Sequence, residues 1–370
     1  MIVMFTGGGT AGHILPNLPL IERLVARGHT VHYAGSGAAM ERELLDAMPL
    51  VYHVLPTGKL RRYFSWQNLR DVVRVLQGVF AGVALVRRVR PNVLFSKGGF
   101  VSVPAVLGAW LCRVPIIAHE SDLSPGLANR IAHRVASRIC TSFPQTHFGA
   151  PDDARLTFTG LPVRDALLSG NSARGAAFLQ FSAGLATHTP RQVLLVMGGS
   201  QGSSVINGLV RRMLPALDEA GFDVVHLCGR GALDPALVDL PGYRQYEFLS
   251  TQMGDVLAAA SVVLSRAGAT TLYELFAVRK PTLLVPLTRA QSRGDQIENA
   301  AWAEQRGLAA VLTEEQLTED ADPAARILST LRRLLADSAD YAAHQSEAFP
   351  RRDTVAELVT LIEAEALPAH

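Results

Sequence analysis

Met1-Ile-Val-Met-Phe-Thr-Gly-Gly-Gly-Thr-Ala-Gly-His13 opens the chain, an apolar run that passes directly into a cluster of glycines. Met1 to Phe5 is short and wholly apolar, a pattern typical of a strand buried on both faces of a parallel sheet. The glycines lack Cβ atoms, so the backbone can turn sharply there and come close to a ligand. Residues 16–27 follow with a helical apolar period, and the N–H groups at a helix start attract anionic or polar ligands. The stretch therefore predicts a strand, a ligand-binding loop and a helix.

His13 stands at the end of this loop. Its imidazole titrates near neutral pH, so it could take a proton from a substrate held beside the glycines. A histidine here could equally cap the helix or pack against it. Sequence position alone does not separate the two roles.

Composition indicates a globular α/β protein of two domains. The 370 residues fit two domains, of roughly 150–200 residues each, better than one. With 35 basic and 33 acidic residues the formal net charge is +2, so we expect no nucleic-acid partner. The three cysteines, Cys112, Cys140 and Cys228, lie among apolar residues, which favours reduced thiols of a cytosolic protein over disulfides or a metal site. The first residues do not resemble a signal peptide, and no stretch has the roughly 18 apolar residues of a membrane span.

The opening pattern returns in the second half, where Val193-Leu-Leu-Val-Met-Gly-Gly-Ser-Gln-Gly-Ser203 again joins an apolar strand to glycines. Between the two, predicted strands end in Ser96-Lys-Gly-Gly-Phe-Val-Ser102 and in His119-Glu-Ser-Asp122, at the sheet edge where open parallel sheets bind ligands. Alternating strands and helices in both halves predict two doubly wound domains facing one another across a cleft. Other segments receive the following predictions: strands at 30–34, 93–95, 115–118, 223–227, 262–264 and 282–285, an inter-domain region or loose helix at 169–190, and a last helix at about 353–367.

The second glycine loop, Gly199-Ser200-Gln201-Gly202, suits a diphosphate. Glycine-freed N–H groups and a hydroxyl meet there at a helix N-terminus, which carries roughly half a positive charge. The spacing matches neither the phosphate loop with its lysine nor the full Gly-x-Gly-x-x-Gly fingerprint, so a hydride-transfer enzyme is disfavoured.

Two further strand ends carry polar residues. Ser265-Arg-Ala-Gly-Ala-Thr-Thr-Leu-Tyr-Glu274 leads into a helix on which Glu274 could accept both hydroxyls of a ribose, although an acid there also suits a helix dipole. In Arg293-Gly-Asp-Gln-Ile-Glu-Asn299, Asp295 and Gln296 match sugar hydroxyls. Asp295 is also predicted as the N-cap of its helix.

Residues 59–90 carry eight basic side chains and one acid, Asp71. Apolar residues from Trp66 to Val83 recur at helical spacing, which predicts an amphipathic helix packed on the sheet. Its exposed neighbours would suit an anionic membrane surface, to which each basic residue contributes about 1 kcal/mol. These neighbours are Tyr63, Phe64 and Trp66, beside Lys59, Arg61 and Arg62.

The motifs, taken in order, resemble those of the bacterial peptidoglycan N-acetylglucosaminyltransferases. They are Gly-Gly-Gly-Thr-x-Gly-His, Ser-Lys-Gly-Gly-Phe-Val-Ser, His-Glu-x-x, Pro-Val-Arg, Gly-Gly-Ser-Gln-Gly, Arg-Ala-Gly-Ala-Thr-Thr-x-x-Glu and Asp-Gln-x-x-Asn, between Phe5 and Asn299. Enzymes of that family transfer N-acetylglucosamine from its UDP form to undecaprenyl-diphosphate-muramoyl-pentapeptide (lipid I), which gives lipid II. The resemblance implies a GT-B fold of two Rossmann-like domains, no metal or other cofactor, and inversion at the anomeric carbon.

The resemblance also assigns roles along the chain. It implies an acceptor- and membrane-facing domain at 1–163, with the final helix at about 350–367 packing back on it, and a UDP-sugar-binding domain at 164–345. It implies His13 as the base, and substrate contacts at Thr10, Ala11, Gly12, Asp122, Arg164, Ser200, Leu249, Ala269, Thr270, Thr271, Leu272, Tyr273, Glu274 and Gln296.

Two of these positions depart from the family's commonest pattern. Ala11 stands where glycine is usual, and Asp122 places an anion where an asparagine is usual. A branch with a modified donor or acceptor preference is one interpretation of these changes. Asp320 and Asp322 lie in a helical region and are predicted to cap helices rather than to bind a metal.

The resemblance implies a peripheral protein at the cytoplasmic side of the cell membrane. Its expected partners are UDP-N-acetylglucosamine, the lipid-linked muramoyl-pentapeptide and the anionic membrane surface, with cell-wall synthesis proteins as further candidates. Two alternatives remain open: a UDP-sugar transferase with another lipid acceptor, such as a diacylglycerol, and a non-catalytic nucleotide-sugar-binding subunit. The presence of His13 together with Glu274 and Gln296 speaks against the second.

Overall fold

The computed structural model describes residues 1–57, 66–149, 152–181, 191–199, 201–350 and 352–366, with side chains from Leu76 onward in the helix that begins at Trp66. The chain divides into two units, Met1–Val163 with Arg352–His370, and Arg164–Arg351. Within the described ranges each unit is built on one parallel sheet.

The first unit has a seven-stranded parallel sheet. The strands are β1 Ile2–Thr6, β2 Thr30–Gly35, β3 Val51–Val54, β4 Val93–Ser96, β5 Ile116–Glu120, β6 Arg138–Thr141 and β7 Leu156–Phe158. Their order in the sheet is β3-β2-β1-β4-β5-β6-β7. The strands β1, β4 and β5 begin with short apolar runs, end in polar residues and are almost wholly buried, as expected for the middle of a sheet covered on both faces. The helices are α1 Leu18–Ala26, α2 Ala39–Leu45, α3 Trp66–Val89, α4 Val103–Leu111, α5 Leu127–His133 and, from the end of the chain, α15 Thr354–Glu365.

The second unit has a six-stranded sheet in the order β10-β9-β8-β11-β12-β13. The strands are β8 Gln192–Met197, β9 Phe222–Leu227, β10 Tyr243–Tyr246, β11 Val262–Ser265, β12 Thr282–Leu284 and β13 Ala310–Val311. The helices are α6 Asp165–Leu168, α7 Ser172–Leu179, α8 Ser204–Glu219, α9 Met253–Ala259, α10 Ala269–Ala277, α11 Asp295–Gln305, α12 Glu314–Glu319, α13 Pro323–Ala336 and α14 Ser338–Ala348.

Both sheets reverse their strand order at one point, between β1 and β4 in the first unit and between β8 and β11 in the second. At such a switch point the two neighbouring strand-to-helix loops diverge and leave a crevice, where doubly wound sheets bind ligands. Each predicted glycine loop lies at one of these switch points. The prediction of two doubly wound Rossmann-like domains is confirmed.

The last helix, α15, packs on the first unit. Leu358, Val359 and Ile362 are fully buried in one core with Val3 and Phe5 of β1. Asp353 caps the helix, because its carboxylate accepts a hydrogen bond from the Ala356 N–H at 2.8 Å.

The long helix α3 confirms the predicted amphipathic segment, because Leu85 and Val86 are buried in one core with Met4 and Leu94 of the sheet. It meets α4 through small residues, since a Cβ on Gly82 would overlap the Pro104 carbonyl and one on Gly108 would overlap Gly82. Leu76 and Phe80, expected on the packed face, are 54% and 75% exposed. Within the part of the chain that the structure describes, no helix combines the length and apolar character needed to cross a membrane.

Two helix starts test the capping predictions. Asp322 caps α13 as predicted, accepting from the Ala325 N–H at 2.9 Å. Asp295 was wrongly predicted as a cap: Gly294, with φ 92°, occupies that place, and Asp295 pairs with Arg293 at 3.4 Å. The segment predicted as a loose helix or linker contains α7, which begins after the capping residue Asn171.

Candidate active site

The first glycine loop ends in a tight turn that carries His13. Gly9 has φ 90°, a left-handed conformation that favours glycine. Residues Ala11–His13 form a single 3-10 turn in which the His13 N–H donates to the Thr10 carbonyl at 3.2 Å. Ala11 is buried, Thr10 is exposed, and Gly12 and His13 are partly exposed. The loop therefore presents Thr10 and His13 at the carboxyl end of β1.

The loop after β4 presses against the same turn. Gly98 and Gly99 have φ of 83° and 77°. A Cβ on Gly99 would overlap the Gly8 carbonyl and lie 3.1 Å from Cδ2 of His13, so only glycine permits this approach. His13 thus lies at the β1/β4 switch point, next to the second loop of that crevice.

Beneath these loops Lys97 is fully buried. Its ammonium lies 2.7 Å from Nδ1 of His119 and also donates to the Ser121 hydroxyl. His119 Nε2 lies 2.9 Å from the Gly160 carbonyl, so the ring donates there and accepts from Lys97. Burial and the adjacent Lys97 charge lower the pKa of His119 well below its usual value. Burial likewise lowers the pKa of Lys97 to about 7.

Glu120 organises the loop that carries Asp122. Its carboxylate accepts from the N–H groups of Asp122 and Gly126, each at 2.9 Å, and from the Asn129 amide at 3.0 Å. Burial and then the neighbouring Asp122 charge raise the pKa of Glu120. Asp122 itself is partly exposed, and its carbonyl accepts from the Thr146 hydroxyl at 3.2 Å.

At the switch point of the second unit, the loop after β8 reaches the start of α8. Gly199 and Gly202 have φ of 88° and 74°, and Ser203 caps α8 by accepting from the Ile206 N–H at 3.2 Å. The predicted contact Ser200 lies outside the described residues. The glycine loop and the N-terminus of α8 form the arrangement that favours phosphate groups.

Arg266 ties this loop to its neighbours, a role that the sequence analysis missed. The buried guanidinium donates to the Ser203 hydroxyl at 2.7 Å and to the carbonyls of Val285 and Pro286 at 3.0 and 3.2 Å. It also pairs with Glu314. The sequence offered one signal for this role. The Arg-Ala-Gly motif follows a predicted buried strand directly, and a charged side chain that is buried there is expected to be paired.

Arg164 and Glu274 form an ion pair in the second unit. Nε and Nη2 of Arg164 donate to Oε1 of Glu274 at 3.2 and 2.9 Å. Burial raises the pKa of Glu274, and the Arg164 charge opposes that shift. Both described contacts fall on one carboxylate oxygen, so Oε2 can accept a further donor.

The other predicted residues of α10 divide between core and surface. The helix begins after Gly268 at the end of β11, so Ala269, Thr270 and Thr271 form its first turn. Leu272 is fully buried and Tyr273 packs edge-on against Phe349, with ring centroids 4.8 Å apart. Leu249, on the loop after β10, is also buried. Leu272 and Tyr273 therefore support the helix from the core side.

Gln296 links the loops after β11 and β12. Its side-chain oxygen accepts from the N–H groups of Ala267 at 3.3 Å and Leu287 at 3.2 Å. The amide nitrogen lies on the side of Gly268, 3.9 Å from where a Cβ on that residue would stand. Of its two side-chain polar atoms, the amide nitrogen of Gln296 is therefore the one that can serve a sugar hydroxyl, as a donor.

The described residues contain no group of three or more His, Cys, Asp or Glu side chains placed to hold a metal ion. The expected independence from metals stays a prediction.

Comparison with known proteins gives the class of enzyme to which the chain belongs. Residues 3–141 match the glycosyltransferase family 28 N-terminal domain and residues 193–359 match the C-terminal domain of the same family. The fold agrees with two solved glycosyltransferase structures. These are Acinetobacter baumannii MurG, with TM-score 0.72, 22% identity and coverage of 98% of this chain and 99% of that one, and the calicheamicin glycosyltransferase CalG4, with TM-score 0.68, 19% identity and 98% of both chains. The protein is a GT-B glycosyltransferase of family 28.

Curated relatives identify the family within this class of glycosyltransferases. Proteins from Lachnospira eligens and Geobacillus thermodenitrificans are 43% and 46% identical to this chain, over 98% and 87% of it and 98% and 89% of their own lengths. Both are named UDP-N-acetylglucosamine–N-acetylmuramyl-(pentapeptide) pyrophosphoryl-undecaprenol N-acetylglucosamine transferase. The chain belongs to this transferase family, which confirms the resemblance found in the sequence.

Proposed function

We propose that this protein transfers N-acetylglucosamine from UDP-N-acetylglucosamine to undecaprenyl-diphosphate-muramoyl-pentapeptide, with inversion at the anomeric carbon. The observation that carries the proposal is the 43% identity to a transferase of that name over 98% of both chains. The two glycine loops at the switch points of the sheets are consistent with substrate sites of this type.

The second unit is the proposed donor domain. Oε2 of Glu274 would accept the ribose hydroxyls, while Arg164 fixes the carboxylate through Oε1. The glycine loop before α8, held in place through Ser203 and Arg266, would receive the diphosphate at the positive end of the helix. The contacts of Arg164 with Glu274 support a role for the arginine in orienting the carboxylate that would bind the ribose.

His13 is the proposed base. The acceptor hydroxyl oxygen attacks the anomeric carbon, and its proton passes to the imidazole as the bond to the diphosphate oxygen breaks. UDP leaves with the electron pair of that bond. Donors at the glycine loop before α8 would stabilise the charge that develops on it.

We also propose that the first unit binds the cytoplasmic face of the membrane. Phe80 and Leu76, one turn apart on α3, expose 75% and 54% of their surface and can insert into a lipid interface. The predicted basic and aromatic cluster from Lys59 to Phe64 lies outside the described residues, as does the Trp66 side chain.

UDP release tests the function against its alternatives. The protein is incubated with UDP-N-acetylglucosamine and, in parallel, lipid I, a diacylglycerol or no lipid, each with and without EDTA. We expect release with lipid I only, and no effect of EDTA. Release with diacylglycerol instead would favour the alternative lipid acceptor. Donor binding without release under any condition would favour the non-catalytic subunit.

A further inference from the structure

Glu41 is a fully buried carboxylate beside the first glycine loop. It lies in the first turn of α2, and the described contacts give it four hydrogen-bond donors. Oε2 accepts from the Ser36 N–H and the Tyr52 hydroxyl, each at 2.7 Å. Oε1 accepts from the Ser36 hydroxyl at 2.8 Å and from the Gly9 N–H at 3.4 Å. One side chain thus joins the loop after β1, the end of β2 and the edge strand β3.

The packing leaves the glycine loop little room to move. A Cβ on Gly8 would overlap Oε1 of Glu41, so the carboxylate supports the loop from one side. On the other side a Cβ on Gly9 would lie 2.7 Å from Cε1 of Phe100. Glu41 and the loop after β4 therefore enclose residues 8 and 9 between them.

Two tyrosines reinforce the same support. The Tyr33 hydroxyl donates to the Gly7 carbonyl at 2.7 Å, and its ring stacks on Tyr52 with centroids 6.0 Å apart. Burial raises the pKa of both phenols, so both hydroxyls stay protonated and can donate. A buried carboxylate is costly unless donors surround it, and the four donors of Glu41 are neutral groups on the loop after β1, at the end of β2 and on strand β3.

We propose that Glu41 is a positioning residue that fixes the glycine loop and, through it, the place of His13. The proposal rests on the proposed function, in which His13 is the base. Gly9 is followed directly by the turn that carries His13, and that turn is held by N–H donation from His13 to Thr10 at 3.2 Å and from Ile14 to Ala11 at 3.0 Å. A shift of Gly9 would therefore move the imidazole. Misplacing a reacting group by about 1 Å can cost about 10²-fold in rate.

Glu41→Gln tests the inference, because the amide keeps the shape but replaces one acceptor oxygen by a donor. Glu43→Gln, exposed on the same helix, is the matched control. Asp353→Ala removes the cap of α15 in the same unit and controls for lost stability. We expect Glu41→Gln to lower kcat about 10- to 100-fold with donor KM changed less than about 3-fold. Amide exchange in residues 7–17 should accelerate at least about 10-fold. Both controls should keep kcat and exchange near the parent values.

Three outcomes would overturn the inference: parental kcat and exchange in Glu41→Gln, faster exchange with parental kcat, or an equal loss of kcat in Asp353→Ala. If Glu41→Gln does not fold, Glu41→Asp, which shortens the side chain by one methylene, is judged by the same criteria. If the parent protein itself releases no UDP with lipid I, the proposed function fails. The exchange measurement then decides whether Glu41 fixes the loop.

Discussion

Arg164 and Glu274 stand 110 positions apart in the chain, yet both Nε and Nη2 of the arginine donate to a single oxygen of the glutamate. The side chains are 22% and 14% exposed. Because the guanidinium is planar and rigid, it fixes the orientation of the Glu274 carboxylate and leaves the second oxygen, Oε2, able to accept another donor. In our account that oxygen receives the ribose of the donor.

Glu274→Ala should therefore weaken the donor complex far more than the acceptor complex. A hydrogen bond to a charged group contributes about 1.5–3 kcal/mol, so donor KM should rise about 10- to 150-fold. Acceptor KM should change little. Steady-state kinetics with each substrate varied in turn measures both constants. Glu304→Ala, an exposed acid on α11, is the control. An unchanged donor KM in Glu274→Ala would remove Glu274 from the site.

The burial of His226 predicts that the stability of the second unit depends on pH. The ring is fully buried, with Nδ1 2.9 Å from the Tyr243 hydroxyl and Nε2 3.0 Å from Oδ1 of Asn207. Burial, then the Arg211 charge, lowers its pKa from 6.5 to about 4. The unfolded chain thus binds the proton first, and stability is lost as the pH falls from about 6.5 to about 4. The linked loss is about 3 kcal/mol in the free energy of unfolding.

Urea unfolding at pH 7 and pH 4 measures this loss. With Trp66→Phe and Trp110→Phe in the background, the fluorescence of Trp302 reports the second unit alone, since the chain has three tryptophans. His226→Gln should reduce the difference between the two pH values by about 3 kcal/mol. His344→Gln, on the exposed face of α14, should leave the difference as in the parent. Equal pH dependence in His226→Gln and the parent would contradict the assignment.

Leu76→Ser with Phe80→Ser should weaken binding to vesicles of anionic lipid. Each exposed apolar side chain that inserts contributes about 1.5–3 kcal/mol at full burial. Binding should also weaken with salt, because charge attraction is screened over about 8 Å at physiological ionic strength. Co-sedimentation at low and high salt measures both effects. Leu233→Ser, at an exposed apolar position of the second unit, is the control. Equal co-sedimentation of the double variant and the control would refute the proposal that α3 binds the membrane.

His13→Ala should lower kcat by about 10² to 10⁴ with donor KM little changed, since a general base acts on the transition state. The acidic limb of the kcat profile should disappear with it. If His13 only caps or packs, the variant should lose about 0.5–2 kcal/mol of stability and keep its turnover. Thermal unfolding and kinetics on the same preparation separate the two results.

The sequence was sufficient for the fold because its strongest signals are local. Apolar runs ending in glycine located β1 and β8, and their repetition predicted two similar units. The edge strands β3, β7, β10 and β13 and the inner strand β6 escaped detection. They have at most four residues, and strands such as Val51–Val54 and Tyr243–Tyr246 mix polar with apolar residues. Their pairing depends on neighbouring strands, and no local pattern encodes it.

The candidate site could be predicted only in part, because many of its contacts also depend on residues that the fold brings together. Motifs placed Glu274 and Gln296 on helices that follow strand ends. Only the folded chain shows that Arg164 holds one oxygen of Glu274 and that backbone N–H groups occupy the oxygen of Gln296. The contacts of Glu41 with Gly9 and of Arg266 with Ser203 join residues that are 32 and 63 positions apart. No spacing rule identifies such contacts.

The proposed reaction is tested by the anomeric configuration of the transferred sugar. UDP-N-acetylglucosamine carries an α linkage, and attack by an acceptor oxygen activated by His13 inverts that centre. Proton NMR of the product formed from lipid I should show a β-linked N-acetylglucosamine, with one UDP released per linkage. An α-linked product, or UDP release without any new linkage, would contradict the proposed function.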